Sequence, residues 1–176
     1  MSSRPQEPLA RASGNAMAVR LARALPPART AFVGAALWAG AMSLSAFLGA
    51  AHWATASHRG LIVAFFGCGG ALAFPLALFV ARLLTEDATA SRRFAAILLS
   101  LALITAGLTA LLFALDYRIY HSAGHADAFS RAWAVQLFFT TAGTVYQFAV
   151  IGLRLYFPFG VAALVAAGLW FALAAR

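Results

Sequence analysis

From Ala31 onward the chain alternates between long uncharged runs and short polar turns, and each run approaches the length of one bilayer crossing. The runs cover residues 31–51, 61–83, 94–115, 132–153 and 155–175. Crossing ~30 Å of hydrocarbon at 1.5 Å per residue takes about 20 residues. Within hydrocarbon the backbone must satisfy its own N–H and C=O groups, which a helix does. The pattern predicts an all-α fold, a polytopic transmembrane helical bundle of about five spans. Composition argues the same way. The 176 residues are 63% hydrophobic and 10% charged, whereas soluble domains carry about a quarter charged residues. A chain of this length has too small an interior to hide so much apolar surface from water.

Residues 1–30 stand apart as an Arg-rich, Pro-containing tail with Glu7 its one acid, a composition that predicts disorder. The stretch from Asn15 to Leu25 suits a short helix lying on headgroups, ended by Pro26-Pro27. The net charge of +8 comes from arginine alone, with no lysine. These arginines flank apolar runs and form no basic face, so the expected counter-charge is phospholipid and not nucleic acid. With the tail inside, Arg4, Arg11, Arg20, Arg23, Arg29, Arg82, Arg92, Arg93 and Arg154 are cytoplasmic, while Arg59, Arg118, Arg131 and Arg176 are not. The positive-inside rule then predicts an N-in, C-out protein of the bacterial cytoplasmic (inner) membrane, its N-terminus cytoplasmic. The turn at Pro158 and Gly160 shortens the last run to ~24 Å at helical rise, which leaves four spans plus a re-entrant segment as the alternative count.

The fourth run carries the most informative polar pattern. At 100° per residue, Gln136, Thr140, Gly143, Thr144, Gln147 and Arg154 fall within an arc of about 100°. A carboxamide facing acyl chains leaves hydrogen-bonding atoms unsatisfied, so this stripe is expected to face protein or water. In the third run Thr105, Thr109 and Asp116 share a column that can complement it. The two together form the expected intramembrane polar face.

Three further features bear on chemistry. Gly67, Gly69 and Gly70 precede Pro75, which cannot donate to the carbonyl four residues back, so a helix break near Ala71 is expected. The competing reading of the same glycines is close helix packing. All four histidines fall in loops placed outside: His52, His58, His121 and His125. His121 and His125, spaced i,i+4 beside Asp116 and Asp127, are the candidate metal ligands. Cys68 is alone and forms no intrachain disulfide. The chain contains no P-loop, dinucleotide fingerprint, CxxC or Gly-x-Ser-x-Gly elbow, so no catalytic residue, no cofactor and no enzymatic role is expected.

Three functional classes follow. Abundant Gly, Ala, Ser and Thr suit an accessory or assembly subunit of a membrane complex, whose partners are the lipid bilayer and other membrane proteins or a second copy of itself. A small-solute transporter or channel using the polar face of the fourth run is the alternative. A membrane metal-binding enzyme using the outer histidines is the third.

Overall fold

The computed structural model describes residues 17–51, 58–86, 88–120 and 129–174, and their regular secondary structure is entirely helical. Residues 17–24 form α1. They are followed by α2 (Ala28–Gly49), α3 (Arg59–Leu84), α4 (Ala90–Tyr120), α5 (Arg131–Val150), a five-residue 3-10 helix (Gly152–Tyr156) and α6 (Phe159–Leu173). The expected tail boundary at residue 30 moves back to the Pro26-Pro27 pair, because Ala31 N–H already donates to Pro27 C=O in the first turn of α2.

Among the described residues three helices, α2, α3 and α4, are long and apolar enough to cross a membrane, which suggests a membrane location. The fourth and fifth expected spans fare differently. α5 has the length but not the hydropathy, since Gln136, Gln147 and Arg131 dilute its aromatic residues. α6 is apolar but only 15 residues long, about 22 Å at helical rise.

α2 packs along α3, α3 along α4, α4 along α6, and α6 closes the ring on α2. The end of the bundle carrying α1, Leu84 and Ala90 is called proximal below, and the end carrying Gly49 and Arg59 distal. α6 runs from distal to proximal. Gly160, at its start, donates its N–H to Ser45 Oγ near the distal end of α2, over 3.0 Å. Gly168 lies against Phe94 and Leu98 at the start of α4. Trp170 and Ala174 border a cleft with Arg20, Arg82 and Arg93.

Both ends of the described chain therefore share the proximal end of the bundle, whereas the five-span expectation separates them. The reason is α5, which does not travel down the bundle. Near its start, the Trp133 ring lies 5.5 Å from the Arg118 guanidinium at the distal end of α4. Near its finish, Phe148 packs on Phe113 and Phe66 with centroids 5.8 and 6.1 Å away. The next segment, at Leu155, touches Gly49. α5 begins and ends in the distal part of the molecule.

α3 is helical without interruption through Pro75, so the expected break near Ala71 is absent. Its glycines are instead the points of closest helix approach. A Cβ on Gly67 would collide with Ser43, and one on Gly69 would collide with Thr109. One on Gly70 would press on Met42 at 3.1 Å. Across the same interface the Phe74 ring occupies the space that a side chain at Gly34 would need. Neighbours on both sides hold the Pro75 turn in helical form, as in membrane helices that tolerate proline.

Candidate functional site

The polar groups inside the bundle are held by one another. Trp38 Nε1 donates to Thr105 Oγ1 at 3.0 Å in a fully buried contact. One turn further along α4, Thr109 Oγ1 donates to Thr105 C=O at 2.8 Å and accepts from Tyr156 Oη at 3.0 Å. Ser45 completes the set. Its hydroxyl donates to Leu155 C=O at 2.8 Å and accepts from Gly160 N–H.

These bonds explain why the chain tightens to a 3-10 helix at Gly152–Tyr156. The segment drops into the bundle, and its backbone finds partners on α2 while its tyrosine reaches α4. Phe66, fully buried, sits 4.7 Å from the Tyr156 ring and anchors the same region apolarly. A cavity of about 280 Å³ opens beside this network, with Trp38, Met42, Thr105, Tyr156 and Leu164 among its walls.

The expected intramembrane polar face is not assembled as one surface. Thr105 and Thr109 face α2, α3 and the 3-10 segment, and their side-chain partners are Trp38 and Tyr156, not the stripe of α5. Thr140 and Thr144 bond back to their own helix, at Gln136 C=O (2.6 Å) and Thr140 C=O (2.8 Å). Together with half-buried Gln136 they lie on the side of α5 turned toward the bundle. Gln147 is exposed, at the edge of a crevice of about 170 Å³ formed with Ile62, Phe113 and Phe148. Arg154 leaves the stripe, because α5 ends at Val150 and the 3-10 turn changes the register. Asp116 is half-buried on the distal part of α4.

His121 and His125 lie outside the described residues, as do His52 and Asp127. Among the described residues no cluster of three or more His, Cys, Asp or Glu is positioned to hold a metal.

Trp38, Ser45 and Tyr156 were not apparent as site residues from sequence. One signal was present: an indole N–H in the middle of an apolar run needs an acceptor, and hydrocarbon has none. No family model, curated protein or solved structure matches this chain.

Proposed function

We propose that this chain is an accessory or assembly subunit of a membrane complex and that α5 is the surface through which it meets the helices of a partner membrane protein. The observation that carries this reading is the position of α5. It is attached to the bundle along one edge, its other side presents Phe138, Phe139 and Tyr146 outward, and the exposed Gln147 carboxamide stands at the crevice edge between the two sides. Aromatic side chains and an amide together suit a protein partner better than acyl chains, because the amide gains hydrogen bonds only from protein or water. The closed hydroxyl pairs inside the bundle favour a structural role over a solute path.

In this reading α2, α3, α4 and α6 cross the bilayer and α5 lies at the distal interface. The even number of crossings puts both ends on one side. Arg20, Arg23, Arg29, Arg82, Arg92 and Arg93 crowd the proximal end, against Arg59, Arg118, Arg131 and Arg154 distally. The proximal end is then cytoplasmic by the positive-inside rule, in a bacterial inner membrane.

The test is native mass measurement of the protein extracted with its membrane in a gentle detergent, followed by reconstitution with the co-purifying component. A stoichiometric complex with a second membrane protein, lost in Gln147→Leu combined with Tyr146→Ala, is expected. A homo-oligomer or a lone protomer of unchanged mass in both forms overturns the proposal.

A further inference from the structure

α6 leans on a different helix at each of its ends. At the distal end Gly160 N–H bonds to Ser45 of α2. Toward the proximal end Gly168 lies against Phe94 and Leu98 of α4. Between these two contacts Ala102 and Ala106 of α4 stand opposite Val161 and Leu164 of α6 and offer only methyl groups. Side chains of that size do not close the wedge between the helices, and the cavity of about 280 Å³ beside Trp38 and Thr105 is the result. Trp38 stands at the middle of α2 and Thr105 at the middle of α4, which puts the cavity at mid-depth in both helices. Leu153 and Phe157 border it with exposed side chains, so it opens on the outside of the bundle.

The chemistry of the walls selects the occupant. Trp38 Nε1 donates to Thr105 Oγ1, and Tyr156 Oη donates to Thr109 Oγ1, so the polar atoms at the border are engaged within the protein. A buried water needs two to four polar partners, and Leu101, Val161 and Leu164 supply none. Apolar walls gain dispersion contacts only from atoms that touch them. The fitting occupant is therefore itself apolar. Taking ~30 Å³ for a water-sized group, the cavity holds roughly nine methylenes. When α2 and α4 cross a bilayer, hydrocarbon chains are the apolar molecules beside them.

We infer that this cavity seats one hydrocarbon chain of a membrane lipid, which enters between α4 and α6 past Leu153 and Phe157 and ends against Trp38. The inference rests on the placement of α2, α4 and α6 in the bilayer and not on the role of α5.

Trp38 reports on the site directly. A protein carrying Trp53→Phe, Trp133→Phe and Trp170→Phe keeps Trp38 as its sole indole, and its fluorescence is compared in vesicles of ordinary lipid and of lipid brominated near the middle of its chains. A reference with Trp38→Phe and Leu103→Trp added carries its sole indole at an exposed position of α4. Trp38 is 5% exposed, yet quenching comparable to that of the reference is expected. Ala102→Leu with Ala106→Leu fills the cavity and removes the quenching at Trp38, while the same pair leaves the reference quenched. In detergent, bromobenzene tests the unmodified cavity for a small apolar solute. Quenching of Trp38 by bromobenzene and not by brominated lipid overturns the lipid chain as occupant. Quenching of the reference alone overturns the site, as does quenching of Trp38 that persists in the filled variant. A reference that brominated lipid also fails to quench overturns the inference together with the bilayer placement of α4.

Discussion

Tyr156 Oη and Thr109 Oγ1 meet at 3.0 Å, joining a 3-10 segment to a helix 47 positions earlier in the chain. The contact fixes how deep Gly152–Tyr156 sits in the bundle, and so where α6 begins. Removing the hydroxyl leaves the ring packed on Phe66 and deletes one hydrogen bond. Interhelical bonds of this kind contribute about 0.6–2 kcal/mol in membranes. Tyr156→Phe is expected to lower the thermal midpoint in detergent by a few degrees, at about 2–4 °C per kcal/mol for a chain of this size. An unchanged midpoint counts against the bond.

Ser45→Ala should cost more, although it too removes a single hydroxyl. Ser45 Oγ serves two buried backbone partners at once, Leu155 C=O and Gly160 N–H. Leaving buried backbone groups without partners costs about 1–3 kcal/mol each. The midpoint of Ser45→Ala is therefore expected to fall below that of Tyr156→Phe. The reverse order would show that the 3-10 segment is not pinned through Ser45.

Gly69→Ala places a methyl group against Thr109, whose backbone is also close by, so a neighbour must shift. Overpacking of this type costs about 1–3 kcal/mol. Gly107→Ala on α4 meets nothing within 4 Å and gains helix propensity of about 1 kcal/mol. The pair should move the midpoint in opposite directions, measured side by side in one detergent. Equal shifts would deny that α3 and α4 touch at Gly69.

Gln147→Leu separates partner binding from folding. The side chain is exposed in the single chain, so the isolated protein should unfold within about 0.5 kcal/mol of the parent, as surface changes usually do. Loss of stability in the isolated chain would mean that the carboxamide is bonded internally.

The three central helices were legible from apolar runs alone. α3 and α4 extend the expected spans 61–83 and 94–115 by a few residues at each end, and α2 is shifted, starting three residues before the expected 31–51 and ending two residues short of it. What was hidden lies in non-local contacts. The wheel that joined Gln136 to Arg154 assumed one continuous helix. The chain abandons α-geometry after Val150 so that Leu155 and Tyr156 reach Ser45 and Thr109, and nothing in the local sequence names those partners. The course of the chain after α4 was hidden for the same reason. α5 has spanning length, but its two glutamines lower its hydropathy and it packs against the distal part of α4. Gly67, Gly69 and Gly70 admitted two readings, and the presence of Ser43, Thr109 and Met42 opposite them decided for close packing.

The central proposal is that both ends of the described chain lie on one side of the membrane, with α5 confined to the other. In a Cys68→Ser background, single cysteines at Ala22, Ser91, Ser130 and Ala174 can be labelled with a membrane-impermeant maleimide in sealed vesicles of known orientation. Ala22→Cys, Ser91→Cys and Ala174→Cys are expected to react from one face and Ser130→Cys from the opposite face. Reaction of Ala174→Cys from the same face as Ser130→Cys would contradict the arrangement.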